Sequence, residues 1–369
     1  MPFKRVAETI DRWIFHAYDG CNESLATYRL FYAIALLVLF LPRWSGVADS
    51  PDSFFSPPPS IAWFFSGFPP QRFFDSLAYV STASAVFLAA GKSTRIASFV
   101  LGGTLLLGNT FLYSLGKINH DILVFLVPLV MAPSAWGLLG KPEHRGPDGL
   151  NVSWPLAALA LIVGLAMLTA AIPKIATGWL DPSAQAVRGH LIAAVYIAEL
   201  QGPLAEVLLS VDHRLFWEAA DVLTVLLEGG FIFAALHPPT MRFFLAVACV
   251  FHLAVLMMFD IKFSANLIVY AAFMNWGVVD RWKISLKVNR ALGNILERTQ
   301  AVHILLMSAL LVAVFLRYGN PFHRAFWKLT GGHSLHDALI LAAGAVGAYY
   351  LAAQFLAWGR RLANYLLTD

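Results

Sequence analysis

Residues 154–180 read WPLAALALIVGLAMLTAAIPKIATGWL, and the run from Trp154 to Ile172 carries no charge. An uncharged apolar run of about 18 residues or more, wound as a helix, crosses about 30 Å of hydrocarbon. The stretch therefore predicts a membrane span ending near Pro173, with Lys174 where hydrocarbon gives way to water. That lysine has two readings. A lysine at a span end ordinarily lays its aliphatic stem along the apolar surface and lifts its ammonium to the headgroups. Held away from water, the same amine becomes a usable proton acceptor.

The rest of the chain repeats the pattern. Of 369 residues, 59% are hydrophobic and only 13% charged, more apolar surface than a water-soluble domain of this size can hide. Spans are expected at Leu25–Leu41, Ser76–Gly91, Ile96–Leu115, Ile122–Leu139, Trp154–Ile172, Ala219–Leu236, Phe243–Phe259, Phe263–Val279, Gln300–Leu316 and Leu339–Trp358. The expected fold is an all-α polytopic bundle of about ten transmembrane helices, because lipid-exposed backbone must satisfy its own hydrogen bonds. Residues 189–210 (GHLIAAVYIAELQGPLAEVLLS) are apolar but interrupted by Glu199, Gln201, Gly202, Pro203 and Glu206, which predicts a broken interfacial or re-entrant segment.

Lys and Arg are more numerous in the loops on the side shared by both termini, which places the N- and C-termini in the cytoplasm. The basic residues lie in short clusters between apolar runs, a topological pattern that does not fit nucleic-acid binding. The amphipathic stretch before Leu25 lacks a small-residue cleavage site after its apolar segment, so the first span is expected to be retained. Residues 281–298 (RWKISLKVNRALGNILER) set Ile284, Val288, Leu292 and Ile295 on one face with basic residues opposite, as in a helix lying on an anionic leaflet. The loop 43–75 mixes prolines with Phe and Trp and reads as an aromatic apron at the membrane interface, with a lid as the alternative. Cys21 and Cys249 are far apart in sequence and form no metal-binding spacing.

Ionisable residues inside spans carry the functional signal. In WEAADVLTVLLEGGFIFAALH (217–237), Glu218, Asp221 and Glu228 share an arc of about 80° on one helix face. Glu228 falls near mid-membrane, where a carboxylate must be protonated, paired or turned to a cavity. His252, in CVFHLAV, is under the same constraint and is read either as part of a site or as an interhelical hydrogen-bonding residue. Arg29, on the inner side of the first span, is read as a snorkelling residue. His333 and His336 have a spacing open to metal binding, but Ser334 and Asp337 match a helix capping box before the last span, so no metal is expected. Lys174, His120, Glu228 and His252 are expected to converge on an outward-opening polar cavity.

The ordered landmarks LATYRLFYAIALLVLF (25–40), GKSTRIASFVLGGTLLL (91–107), SLGKINHDILVFLVPLV (114–130), IPKIATGWL (172–180), LLEGGFIF (226–233) and VFHLAVLMMF (250–259) resemble a known family. It is the vitamin K-dependent gamma-carboxylase-like, or horizontally transferred transmembrane, domain family. The likeness covers roughly residues 20–280 and rests on the ordered set, not on any one short motif. It implies a domain over 25–280, between a cytoplasmic amphipathic N-terminus (1–24) and a cytoplasmic interfacial helix (281–299). Two further spans and a short tail (300–369) would follow, in a bacterial inner membrane.

In the family's vertebrate enzyme the lysine matching Lys174 deprotonates vitamin K hydroquinone. Reaction with oxygen then yields an epoxide and a strong base that removes a γ-proton from a peptidyl glutamate, which captures carbon dioxide. By resemblance Lys174 is the base, His120 and His252 position the quinol, and Glu228 orients that group. Lys117, Asp121, Trp179 and Asp221 are the candidates for holding reduced vitamin K or menaquinone. The expected partners are membrane lipids and a lipid-soluble quinol or an exported peptide. Two other classes stay open: a non-enzymatic carrier using the acidic face as an ion or proton path, and an accessory protein for an exported peptide.

Overall fold

In the computed structural model, residues 2–367 are described apart from 19–21, 42–43, 45, 117, 119, 135, 137–152, 201, 277–299, 319 and 331. The described residues form helices and irregular connections, with no strand among them. The interfacial helix expected at 281–299 and the candidate Lys117 lie outside the described residues.

The chain divides into two compact units, residues 1–159 with 271–335 and residues 160–270 with 336–369. The first holds α1 (Pro2–His16), α2 (Asn22–Ala35), α3 (Gln71–Ala89), α4 (Thr94–Leu112), α5 (Ile122–Met131) and the start of α6 (Trp154–Ala176). The second holds the rest of α6, then α7 (Ala186–Tyr196), α8 (Ala205–Leu209), α9 (Arg214–Ala234), α10 (Pro238–Phe259) and α11 (Ser264–Tyr270). The first unit also takes α12 (Ala301–Tyr318) and α13 (Pro321–Leu329), and nearly all of α14 (Leu335–Leu367) belongs to the second.

Among the described residues, four helical stretches are long and apolar enough to cross a membrane: Thr94–Leu115, Trp154–Ala176, Pro238–Phe259 and Leu335–Tyr365. Ser24–Phe40, Ile122–Ser134, Ser264–Phe273 and Ala301–Phe315 are apolar but shorter. Several expected boundaries move outward, because a polar residue near a span end costs less than an unsatisfied backbone group and the helix keeps winding. The clearest case is α6, expected to stop at Ile172. It runs through Pro173 to Ala176, so Lys174 stands on the helix and not beyond it.

In the first unit, Tyr28 and Tyr32 of α2 lie against Trp136 with ring centroids 5.6 and 5.2 Å away. Two of the three polar tips are satisfied: Tyr32 Oη donates to the Val124 carbonyl at 2.8 Å and Trp136 Nε1 to Ser98 Oγ at 2.8 Å, while Tyr28 Oη has no hydrogen-bond partner among the described residues. Phe65 and Phe73 from the aromatic loop and α3 pack edge-on to Phe111 of α4, while Trp63 and Phe64 point outward, the disposition expected of an interfacial apron. Arg29 departs from expectation. Snorkelling would bring its guanidinium to water, yet the residue is only 4% exposed, enclosed where α2 meets the turn after α3.

In the second unit, the segment read as broken is broken. Helix α7 ends at Tyr196, Glu199 takes a left-handed backbone (φ +54°), and α8 begins at Ala205. Leu204 N–H donates to the Met257 carbonyl at 2.8 Å, fixing the break on the last turn of α10. Trp217 of α9 seals a small core with Val187, Leu191, Val195 and Ala205 and donates from Nε1 to the Val211 carbonyl at 2.9 Å. Helix α14 begins at Leu335, directly after Ser334 as the capping reading expects. His336 Nδ1 lies 2.6 Å from Ser264 Oγ, and Asp337 faces Lys262 at 3.5 Å.

Candidate functional site

Helix α6 brings Lys174 and helix α9 brings Glu228 to one place in the second unit. Lys174 Nζ lies 2.8 Å from Oε1 and 2.6 Å from Oε2 of Glu228, so the carboxylate is engaged through both oxygens. A third donation goes to the Ala170 carbonyl, one turn back on α6, at 3.3 Å. An ammonium has three N–H donors, and this set uses all of them. The Trp179 ring lies below the amine, 5.3 Å from Nζ to its centroid, within cation–π range. Trp179 is held there by its own N–H, which donates to the Lys174 carbonyl at 3.0 Å.

The pair is neither free nor sealed: the side chains of Lys174 and Glu228 are 22% and 9% exposed. A headgroup anchor does not fit this geometry, because the amine turns toward α9 and a carboxylate. Proton exchange between Nζ and Oε2 interconverts a charged and a neutral couple, so a proton arriving or leaving belongs to the pair and not to either residue.

His252 is buried on α10 at 2% exposure and belongs to a neighbouring aromatic stack. Its Nε2 lies 3.2 Å from Tyr270 Oη, and its ring stacks on Phe263 at 4.7 Å and Tyr270 at 5.8 Å. Asn266 Nδ2 donates to the same Tyr270 oxygen at 3.4 Å, and that hydroxyl lies 3.9 Å from Met167 Sδ on α6. Phe231, one turn beyond Glu228 on α9, stacks on Tyr270 at 6.3 Å and links the two groups along α9. His252 thus makes the interhelical hydrogen bond weighed for it from spacing, within the unit that holds Lys174 and Glu228.

Asp221, expected to hold a cofactor, has both oxygens committed to the backbone. It accepts from Ala186 N–H and Val187 N–H, each at 2.7 Å, and so caps the N-terminus of α7 from a different helix. Gln185, the residue before α7, makes no side-chain cap of its own. Asp221→Asn offers these two donors one acceptor where they now have two. We expect it to lower stability by about 1–3 kcal/mol and to speed amide exchange first at Ala186 and Val187. Unchanged exchange there would remove the capping role.

The other candidates divide by unit. His120 and Asp121 lie at the start of α5 in the first unit, where Tyr113 Oη donates to Asp121 Oδ1 at 3.5 Å and His120 is exposed. Sequence reasoning missed Asn266, Tyr270 and His190. Asn266 and Tyr270 have a legible signal, an i, i+4 polar pair inside the apolar run SANLIVY. His190 has none; its ring meets Trp179 at 5.3 Å only because α7 folds back beside the end of α6. Comparison of the chain with family models, with curated proteins and with solved structures finds no match.

Proposed function

We propose that this chain is an integral membrane protein of the carboxylase-like family, with about ten transmembrane helices and both termini in the cytoplasm of a bacterial inner membrane. In this reading the Lys174–Glu228 pair withdraws a proton from a lipid-soluble quinol of the vitamin K or menaquinone class. The observation that carries it is the amine of an apolar helix engaged through both oxygens of a mid-helix carboxylate, 2.6 and 2.8 Å away. The donor set fits a quinol: a partly open acid–base couple can meet a hydroxyl, and the Trp179 and His190 rings beside it offer flat surfaces to an aromatic ring.

Glu228 takes the proton from Nζ onto Oε2, which frees the nitrogen lone pair. Lys174 then accepts a proton at Nζ from a substrate hydroxyl, and the pair ends with one proton more than it began with. Trp179 holds the amine in place from below. Met167, Tyr270 and His252 surround the neighbouring part of the α6–α9 contact with apolar and hydrogen-bonded groups that keep water out. A bound quinol supplies an acidic hydroxyl and, once deprotonated, a ring that dioxygen oxidises.

The test is turnover. Purified protein in lipid nanodiscs is incubated with reduced menaquinone or vitamin K hydroquinone and oxygen, and quinone epoxide is followed. We expect Lys174→Arg to keep the ion pair and the fold but to lose activity by a factor of about 10² to 10⁴, since a guanidinium does not give up its proton. Activity within a few-fold of wild type in that variant would remove Lys174 as the base. Absence of turnover with any quinol, together with proton flux in sealed vesicles, would transfer the pair to the proton-path reading.

A further inference from the structure

The first unit contains a buried cation, Arg29, with no ion pair among the described residues. Arg29 of α2 is 4% exposed, and its Nε has no hydrogen-bond partner among them. Burying a guanidinium without an anion is costly, and the usual resolution is a counter-charge.

The guanidinium is aimed at the turn between α3 and α4. A Cβ on Gly91 would sit 3.0 Å from both Nη1 and Nη2, so the two terminal nitrogens lie flat against the backbone of that glycine. Gly91 has φ +70° and Ser93 φ +47°, and the chain then enters α4 at Thr94. Ser93 gives no side-chain cap, and the positive end of the α4 dipole begins three residues after Gly91 in the chain. Arg95, in the first turn of α4, adds another cation nearby in the sequence.

We propose that Arg29, the Gly91 turn and the N-terminus of α4 form a binding site for a phosphate oxyanion, carried on a lipid headgroup or free. The two Nη groups match two oxygens of one phosphate, the pairing in which arginine is strongest, and the positive end of the α4 dipole favours the remaining negative charge. Gly91 is required on two counts: its positive φ, and the absence of a Cβ where the guanidinium lies. The inference is independent of the quinol reading, because every residue in it belongs to the first unit.

The experiment uses full-length protein in neutral maltoside micelles without phosphate, at fixed ionic strength set by chloride. The thermal midpoint is titrated in one arm with sodium phosphate and in another with dioleoylphosphatidylglycerol, with dioleoylglycerol as the same chains lacking phosphate. Wild type is expected to show a saturable rise absent with dioleoylglycerol. A rise with inorganic phosphate identifies a free-phosphate site; a rise with the phospholipid alone identifies a headgroup site.

Arg29→Met, which removes the buried charge at similar volume, is expected to match or exceed the wild-type midpoint without anion and to bind roughly tenfold or more weakly. Gly91→Ala should weaken binding in the same direction while keeping the charge. No rise in either arm, or an equal rise in Arg29→Met, would overturn the proposal.

Discussion

Glu228→Leu is expected to destabilise the protein by about 3 kcal/mol, and Lys174→Met on the same background to restore most of that loss. Removing the carboxylate leaves an ammonium facing α9 with only the Ala170 carbonyl and the Trp179 ring for company. The penalty for stranding one member of a buried pair is about 3–5 kcal/mol. The lower end applies because the Lys174 side chain keeps 22% of its exposure and can swing part of the way out. The double variant puts two apolar chains of similar volume on facing helices, where packing replaces the pair. Unfolding in mixed micelles, read as a double-mutant cycle, isolates the coupling. Costs of the two single substitutions that simply add in the double variant would mean that the pair contributes nothing and that the short distances are incidental.

The residue types of this site were legible in the sequence, but their partners were not. An acid in the middle of an apolar span and a lysine near the end of another each announce a cost that something must offset. Periodicity put Glu218, Asp221 and Glu228 on one face of α9, and the structure gives each a different task. Asp221 caps α7, Glu228 holds Lys174, and Glu218 lies 3.7 Å from Arg214 on its own helix. Which acid meets the lysine depends on how α6 and α7 dock along α9, and a helical wheel carries no such information.

Helix ends were obscured for a related reason. Pro173 reads as a stop signal in water, but in apolar surroundings α6 continues for three more residues, which moves Lys174 from a loop onto a helix face. Helix α13 lies between the expected spans Gln300–Leu316 and Leu339–Trp358, and its sequence signal is strong. Asn320 Oδ1 accepts from Phe322 N–H at 3.0 Å and His323 N–H at 3.2 Å, with Pro321 in the first turn. Tyrosines in spans ordinarily sit in the interface belt, whereas Tyr270 is buried against His252, a placement that depends on how α10 and α11 pack.

Gly202→Ala is expected to be among the most damaging single-methyl additions in the second unit, costing about 3 kcal/mol or more and leaving little folded protein. A Cβ there would fall on the Met257 carbonyl, 2.5 Å from its carbon, and 2.7 Å from the carbonyl carbon of Met258. These are backbone atoms in the last turn of α10, so no rotamer change makes room. The break between α7 and α8 must lift off, and the hydrogen bond from Leu204 N–H to the Met257 carbonyl goes with it.

Gly230 provides the contrast. A Cβ there would lie 2.7 Å from Cε1 of Phe244, a side chain that can be trimmed. Gly230→Ala should therefore be rescued by Phe244→Leu, whereas Gly202→Ala should not be rescued by Met257→Ala. The yield of monodisperse protein and the unfolding midpoint of the four variants decide the matter. Rescue of Gly202→Ala by Met257→Ala would place the conflict in the side chain and show that the segment does not rest on the α10 backbone as described.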